Sequence, residues 1–277
     1  MTTNSKVNLN TRNVVITGGA SGIGFALAKN LGARGCRIMI AEPDEQRLQA
    51  AVAKLTRLDI DAHYCICDVS DHAQVERLAD TAWETFDRVD MVFNNAGVGI
   101  RPATVIDTDV DALKAMFDVN FFGVWYGSQV FGKRFLAQGT PAGIYNTGSE
   151  NSLFNAVPEN AGYLATKHAV LGMTDNLREQ MPDHINVGLI IPGLVKSDLT
   201  ARIGHLAMDT DEFAEIVLKQ IGDGKFYIVS HACNVAPIKD RYSEIQQAYA
   251  DYAPPYEGDE KYDVRHLLKQ MQASKSN

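Results

Sequence analysis

A tyrosine and a lysine four residues apart are the pair in this sequence best suited to proton transfer. Tyr163 and Lys167 lie in a segment whose pattern predicts a helix, so their side chains share one face. A tyrosine titrates at about 10 when unperturbed, and a nearby ammonium favours the phenolate and lowers that pKa. The pair could therefore exchange a proton with a substrate near neutral pH. Taken alone the spacing is common, and an exposed helical pair without function is the alternative.

A serine precedes the tyrosine, just past the end of a predicted strand. Ser149 follows the strand Gly143–Thr147 and lies fourteen residues before Tyr163. In a parallel α/β sheet, ligands bind at the carboxyl ends of the strands, where a hydroxyl can hold a substrate oxygen and stabilise developing charge. Ser152 is the alternative, but it lies further from the strand end. We therefore expect Ser149 and Tyr163 to contact the substrate.

A glycine-rich turn follows the first predicted strand. Gly18, Gly22 and Gly24 are spaced along it, and a helix is predicted from Ile23. Glycines permit a tight turn and a close approach of the backbone to phosphate, while the N–H groups and dipole of the helix start face the negative charge. The strand–turn–helix context predicts a dinucleotide pyrophosphate site that includes Ser21 and Ile23. A glycine turn without a ligand is the alternative.

An acidic residue ends the second predicted strand. Glu42 stands where a carboxylate can accept both hydrogen bonds of an adenosine ribose diol and repel a 2′-phosphate. Pro43 and Ser21 occupy two positions that could have carried a cation, so no Arg or Lys is expected to receive such a phosphate. The sequence therefore predicts NAD rather than NADP. The alternative is that Glu42 is a solvated loop carboxylate that binds no ligand.

Two further strand ends carry residues suited to cofactor binding. Asp68 and Val69 close the third predicted strand, where the carboxylate could reach an adenine amino group or, equally, cap the next helix. Asn95, Ala96 and Gly97 follow the fourth strand. Small residues there let the chain pass close to a cofactor, and amide side chains can tie neighbouring strands together.

Short apolar runs alternate with amphipathic segments over about the first 230 residues. Near-continuous apolar strands that alternate with helices predict a parallel sheet covered on both faces, and right-handed crossovers make it doubly wound. The predicted fold class is therefore α/β, a single-domain Rossmann fold with a seven-stranded parallel sheet. One continuous helical stretch is expected over about residues 109–137. The core is placed at about residues 11–230, with a C-terminal helical appendage over 231–277.

Composition excludes several classes of protein. The 277 residues are 45% hydrophobic, and the net charge of -8 without a basic run argues against nucleic-acid binding. Cys65 and Cys67 share a strand face, and without further ligands at metal spacing we expect buried thiols and no metal. The N-terminal segment lacks the apolar region of a signal peptide, and no run of about twenty apolar residues predicts a membrane span. A cytoplasmic protein without membrane contact is expected.

Taken in order, these motifs resemble the short-chain dehydrogenase/reductase family over about residues 11–230. Their joint occurrence is far more specific than any one of them. The matching residues are Thr17–Gly24, Asp68, Asn94–Gly97, Asn120, Ser149, Tyr163, Lys167, Pro192 and Gly193. The resemblance implies an NAD-dependent oxidoreductase that interconverts a secondary alcohol and a ketone by hydride transfer.

The resemblance also implies roles for individual residues. Tyr163 would be the general acid/base, and Lys167 would lower its pKa and hold the nicotinamide ribose. Ser149 would orient the substrate oxygen, and Asn120 would anchor a water in a proton relay. Pro192, Gly193 and Leu194 would line the nicotinamide, and Val195 would also bind the cofactor. Ser197 would stand where the family usually has a threonine that bonds the carboxamide. In many members the serine lies one residue nearer to the tyrosine, which a one-residue loop insertion would reconcile.

The residues that flank the catalytic motifs predict that the substrate is a bulky apolar or aromatic small molecule. Leu153, Phe154 and Leu194 flank the motifs and could form an apolar pocket, although ordinary loop packing is an equal alternative. The segment Val195–Asp209 is expected to be a lid. The tail from Lys225 also resembles, weakly, that of bacterial aryl-alcohol (Cα) dehydrogenases of the family.

Two other function classes compete with the enzyme, and an oligomer is implied. A catalytically silent NAD(H)-binding sensor or scaffold would not need Ser149, Asn120, Tyr163 and Lys167 together. A sugar-nucleotide epimerase usually has a different glycine spacing and a larger C-terminal domain. The resemblance further implies a homotetramer or homodimer that associates through the two long helices.

Overall fold

Seven parallel strands form one sheet in the structure, a computed structural model that describes residues 6–275, apart from the side chains of residues 202 and 272–275. Their order is β3-β2-β1-β4-β5-β6-β7, so the chain reaches one edge from β1 and the other from β4. The strands are β1 (Asn13–Thr17), β2 (Arg37–Glu42), β3 (Ala62–Ile66), β4 (Met91–Asn94), β5 (Ala142–Thr147), β6 (Ile185–Ile191) and β7 (Tyr227–Val229). The predicted doubly wound Rossmann fold is confirmed.

Helices cover both faces of this sheet. They are α1 (Gly22–Gly32), α2 (Glu45–Thr56), α3 (His72–Phe86), α4 (Val110–Phe117), α5 (Gly123–Gln138), α6 (Ala161–Gln180) and α7 (Thr210–Gly222). Residues of α1, α2 and α7 contribute to one apolar cluster, while residues of α3 and α5 contribute to a second. Because every pair of neighbouring strands is parallel, all carboxyl strand ends lie at the same edge of the sheet.

The central strand shows why the sheet is covered on both sides. Val14 and Ile16 enter the cluster that includes Phe213, and Val15 enters the cluster that includes Phe131. All five side chains are fully buried. Alternate residues of a strand point to opposite faces, and full burial of each such side chain stabilises the fold by about 1.5–3 kcal/mol.

The helical stretch expected over residues 109–137 is interrupted. α4 ends at Phe117, a π-helical turn follows over Asp118–Phe122, and α5 begins at Gly123. The expectation of one continuous helix is therefore wrong at this point. The wider turn contains Asn120, whose side chain is fully buried, and π-turns of this kind are frequent at functional sites.

The chain divides into two compact units between Ala232 and Cys233. The second unit contains α8 (Val235–Tyr252), a 3-10 turn at Asp259–Tyr262 and α9 (Val264–Lys275). The appendage was expected from about residue 231, close to this division. That the whole chain forms a single domain remains a prediction.

The cysteines are only partly as expected. All four are free thiols; Cys36 and Cys67 are buried, Cys65 is half-buried and Cys233 is exposed. The expectation that Cys65 is buried is wrong, since it lies on β3 at the edge of the sheet. Among residues 6–275, no group of side chains is arranged to hold a metal ion. Over the same residues, none of the helices combines the length and apolar composition that a membrane crossing requires.

Candidate active site

The turn after β1 has the backbone geometry that its glycines predict. Gly18 and Gly22 have φ angles of +63° and +52°, a region that side chains other than glycine rarely adopt. A methyl group on Gly18 would lie 2.9 Å from the Cα of Ala96. The chain after β4 therefore passes directly against the turn.

Asn95 fixes these two segments to each other. Its amide nitrogen donates to the carbonyl oxygens of Thr17 (3.1 Å) and Gly18 (3.3 Å). The Thr17 hydroxyl in turn accepts from the backbone N–H groups of Asn95 (3.0 Å) and Ala96 (3.1 Å). The residues predicted after β1 and after β4 thus meet at one place.

The start of α1 fits a pyrophosphate group. Ser21 precedes the helix in an extended conformation, and its side chain makes no capping hydrogen bond to the first turn. The N–H groups of Gly22, Ile23 and Gly24 begin the helix at the mouth of the glycine turn. A helix start whose N–H groups are not capped by a side chain is suited to an anion.

Glu42 ends β2 beside this turn, and its carboxylate is only 11% exposed. Burial raises the pKa of Glu42, whereas Arg47 and a backbone hydrogen bond from Ala20 act in the opposite direction. An acceptor held at the tip of β2 fits a ribose diol.

Arg47 corrects the expectation that no cation reaches this corner. Its Nε lies 3.1 Å from Oε1 of Glu42, and its Nη2 donates to the hydroxyl of Ser21 at 2.8 Å. Its Nη2 also donates to Asp198 at 2.7 Å. The side chain reaches the strand tip because Arg47 lies in the first turn of α2, three residues after the N-cap Asp44.

Asp68 lies in its own turn after β3. Its Oδ1 accepts from the N–H (3.0 Å) and hydroxyl (2.7 Å) of Ser70. The cap of α3 is instead Asp71, which accepts from the N–H of Ala73 at 2.9 Å. The alternative that Asp68 caps the helix is therefore wrong. Val69 is buried in the apolar cluster that contains α3 and α5.

Tyr163 and Lys167 share a face of α6, as their spacing predicts. The Lys167 Nζ lies 5.5 Å from the centroid of the Tyr163 ring and donates to the carbonyl oxygen of Thr147 at 2.9 Å. Lys167 is only 3% exposed, and burial lowers its pKa to about 8.

The expected lowering of the tyrosine pKa is not found. Burial raises the pKa of Tyr163 to about 12, a hydrogen bond with the hydroxyl of Ser149 lowers it, and the charge of Glu150 raises it. Lys167 lies over the ring and donates to Thr147 instead, so burial of the phenol dominates.

Ser149, not Ser152, faces the tyrosine. The Ser152 hydroxyl is fully buried and donates to the carbonyl oxygen of Lys167 at 2.8 Å. It also accepts from the N–H of Ser149 at 3.2 Å. Ser149 itself begins a 3-10 turn over Glu150–Ser152 and keeps its hydroxyl beside Tyr163.

Asn120 clamps the segment after β4. Its Oδ1 accepts from the N–H of Val98 at 2.7 Å, and its Nδ2 donates to the Val98 carbonyl at 2.9 Å and to the Thr166 hydroxyl at 3.4 Å. A methyl group on Gly97 would lie 3.4 Å from Asn120 Oδ1 and 3.8 Å from Lys167 Nζ. Asn120, Gly97 and Lys167 therefore converge at one point.

The segment after β6 contacts Glu150, the residue that follows Ser149. Pro192 is buried, and its carbonyl accepts from the N–H of Glu150 at 2.8 Å. A methyl group on Gly193 would lie 2.6 Å from Cγ of His231 and 3.0 Å from Oε2 of Glu150. His231 also bonds the carbonyl oxygen of Leu194 at 3.2 Å. The backbone after β6 therefore lies close to the side chains of Glu150 and His231.

The expected lid is anchored at its base. Backbone hydrogen bonds join Met208 to Leu194 (2.9 Å) and to Lys196 (3.0 Å), and Val195 is buried. A 3-10 segment over Asp198–Leu206 lies between these anchors. A methyl group on Gly22 would lie 3.4 Å from Cβ of Ser197, so the segment begins against the glycine turn.

The residues predicted to line the substrate divide into two kinds. Leu153 is half-buried and packs against the apolar cluster of Val124 and Val170. That Leu153 also lines the substrate stays a prediction. Phe154 and Leu194 are half-buried and are not members of the core clusters formed by the described residues.

Four residues with contacts at this edge were missed or not singled out from the sequence. They are Arg47, Glu150, Asp198 and His231. Their positions had a signal: Glu150 directly follows the predicted serine, and Arg47 stands one turn into the helix after the acidic strand tip. Asp198 and His231 follow strand ends on other parts of the sheet, so only the folded chain brings them here.

Comparison with known proteins agrees with this arrangement. The family model described as short chain dehydrogenase matches residues 12–206. The chain is 31% identical to 1-deoxy-11-beta-hydroxypentalenate dehydrogenase of Streptomyces avermitilis, across 86% of this chain and 92% of the relative. A short chain dehydrogenase/reductase from Burkholderia phymatum in complex with NAD superposes with a TM-score of 0.83 at 27% identity, covering 90% of this chain and 99% of that one. The apo form of LigO from Sphingobium sp. strain SYK-6 superposes with a TM-score of 0.82 at 25% identity, covering 94% and 97%.

Proposed function

The chain belongs to the short-chain dehydrogenase family, and from that premise we propose that it is an NAD(H)-dependent dehydrogenase that interconverts a secondary alcohol and a ketone. Family membership makes it an oxidoreductase that acts on a CH–OH group with a nicotinamide cofactor. The observation that carries the finer proposal is the meeting of Tyr163, Lys167 and Ser149 at the sheet edge that also carries the glycine turn.

The proposed chemistry divides between the cofactor and the protein. A bound nicotinamide accepts or supplies hydride. Tyr163, whose pKa is raised to about 12, keeps its proton at neutral pH and can donate it to a carbonyl oxygen during reduction. In oxidation the deprotonated form of Tyr163, whose population rises with pH, takes the proton of the alcohol. Ser149 holds the substrate oxygen beside it, and Lys167 places a polarising charge next to the ring.

The preference for NAD rests on the tip of β2. The Glu42 carboxylate can accept from the ribose diol and disfavours a 2′-phosphate. Arg47 lies beside it but already contacts carboxylates on two sides. The solved Burkholderia phymatum relative is in complex with NAD, which supports the same assignment.

We propose a bulky apolar or aromatic alcohol as the substrate. The segment after β6 carries three exposed apolar side chains, Leu199 (55%), Ile203 (46%) and Leu206 (71%). A methyl group on Gly99 would lie 3.2 Å from Leu199, so this segment contacts the loop after β4. The Streptomyces avermitilis relative is a dehydrogenase of a hydroxylated compound, 1-deoxy-11-beta-hydroxypentalenate, which supports an alcohol substrate.

A homodimer or homotetramer is the proposed assembly. A surface groove between α5 and α6 is lined in part by Trp125, Leu136, Met173 and Leu177. Trp125 and Leu136 are 45% and 49% exposed. Apolar side chains of this size on neighbouring helices favour burial against a second copy. A single monomeric species in light scattering would contradict this assembly.

The test measures turnover by the purified protein with NAD+ and a panel of aryl and alicyclic secondary alcohols. Formation of NADH is monitored by its absorbance. Tyr163→Phe is expected to lower kcat/KM by roughly 10³-fold while NADH still binds. Tyr227→Phe is the matched control, because Tyr227 lies on the edge strand β7 and its hydroxyl donates to Asp175 of α6. Equal activity of Tyr163→Phe and wild type would overturn the mechanism, and NADH binding without any turnover would favour a silent NAD(H)-binding protein.

A further inference from the structure

One guanidinium joins three parts of the cofactor-binding edge. Arg47 contacts Glu42 at the tip of β2 (3.1 Å), Ser21 before α1 (2.8 Å) and Asp198 after β6 (2.7 Å). The hydroxyl of Ser21 also lies 3.3 Å from the Asp198 carboxylate. These contacts bring together segments that are up to 177 residues apart in sequence.

Asp198 is not in this position for reasons of packing. Its side chain is 72% exposed, whereas that of Glu42 is 11% exposed. A carboxylate as exposed as Asp198 could remain in water without a partner at little cost. Its contact with Arg47 therefore affects the guanidinium more than it affects the stability of the fold.

Without its carboxylate partners, the guanidinium of Arg47 would be suited to binding a phosphate. Arginine presents several N–H donors in one plane and binds phosphate oxygens in pairs. The Nη2 of Arg47 points to both Ser21 and Asp198, so a phosphate that approached it would have to displace a carboxylate. It would also enter a site that already holds the charge of Glu42.

We propose that Asp198 is a specificity-determining residue of the cofactor site, which holds Arg47 between two carboxylates and so prevents it from receiving the 2′-phosphate of NADP(H). The inference rests on the proposed function, in which Glu42 binds the adenosine ribose. Discrimination against the phosphate then comes from two segments, the tip of β2 and the start of the segment after β6. Because that segment also forms the expected lid, cofactor choice depends on a contact made from the substrate side.

The experiment measures the Kd of NADH and of NADPH for wild type and for Asp198→Asn, without substrate. Binding is monitored by nicotinamide fluorescence at low salt. Asparagine keeps the size of the side chain and removes its charge. We expect the Kd for NADPH to fall roughly fivefold, as suits an exposed pair, while the Kd for NADH changes less than about twofold. The gain should shrink at high salt. An unchanged ratio of the two Kd values would overturn the proposal.

Arg47 supplies the decisive control. In an Arg47→Ala background the Asp198→Asn change should give no gain in NADPH affinity. If the gain persists without Arg47, Asp198 repels phosphate directly, and the proposal is wrong. Asp111→Asn, at a 93% exposed side chain on α4, controls for net charge and should leave the ratio unchanged. A wild type that binds NADPH at least as tightly as NADH would instead overturn the NAD assignment of the proposed function.

Discussion

The ammonium nitrogen of Lys167 lies 2.9 Å from the carbonyl oxygen of Thr147, the last residue of β5. The contact ties α6 to the strand end beside Ser149 and keeps the charge over the Tyr163 ring. Because Lys167 is almost fully buried, its charged form is penalised, and its pKa falls to about 8. The buried lysine is therefore suited to proton transfer, but its burial lowers the stability of the folded protein.

Lys167→Met should therefore give a more stable but inactive protein. The pKa difference between about 8 and 10.5 corresponds to roughly 3 kcal/mol against the folded state at pH 7. Loss of the donor to Thr147 costs about 1–2 kcal/mol in return. We expect a net gain of roughly 1–2 kcal/mol in the free energy of unfolding, measured by urea denaturation at pH 7.

The pH dependence has a definite sign. Below about 8 both the folded and unfolded states of wild type bind the Lys167 proton, so the penalty is fully present. Between 8 and 10.5 only the unfolded state binds it, so the stability of wild type should rise toward that of the variant. Lys114→Met, at a 69% exposed side chain, is the control and should show neither effect. A difference between Lys167→Met and wild type that does not vary with pH would contradict this account.

The two serines should separate function from stability. Ser149→Ala removes the hydroxyl that bonds Tyr163 and is expected to lower kcat/KM by about 10²-fold. Ser152→Ala removes a fully buried hydroxyl with two backbone partners, and is expected to lose about 1–3 kcal/mol of stability. Activity per folded molecule should survive in Ser152→Ala. The reverse pattern would assign the substrate oxygen to Ser152.

Glu150 should influence the pH profile through Tyr163. Its charge raises the pKa of the phenol, so Glu150→Gln should lower that pKa. Alcohol oxidation needs the phenolic oxygen to accept a proton, so its activity should increase with pH, and the rise should move to lower pH in the variant. The measurement is kcat/KM for oxidation against pH. Glu244→Gln, on the exposed α8, should leave the profile unmoved.

The fold could be predicted because its signals are local and repeated. The apolar strands that alternate with amphipathic segments determine the parallel sheet. Thr17 ends β1, and Gly18 and Asn95 follow strand ends, which any such sheet brings to one edge. Each of these inferences needs only a periodicity or a single residue type next to an element boundary.

What could not be predicted depends on side-chain reach and burial. The contact of Arg47 with Asp198 joins residues 151 apart, and no pattern in the sequence links them. The π-turn around Asn120 occurs inside a continuous helical pattern. The direction of the Tyr163 pKa shift required the balance between burial and charge, because the sequence places the lysine nearby without showing where its ammonium points.

The glycine turn yields a prediction in which geometry, affinity and stability can be separated. A methyl group on Gly24 would lie 2.2 Å from the carbonyl oxygen of Gly18 and 2.7 Å from Nδ2 of Asn95. Both neighbours belong to the support of the turn, so Gly24→Ala must displace it, at a cost of about 1–3 kcal/mol. The Kd for NADH, measured by fluorescence, is expected to rise at least about tenfold, because the N–H groups that would face the pyrophosphate move. Gly172→Ala on α6, where nothing lies within 4 Å, should stabilise the helix by about 0.5–1 kcal/mol and leave NADH affinity unchanged. If Gly24→Ala loses stability but binds NADH as wild type does, the cofactor does not lie on this turn.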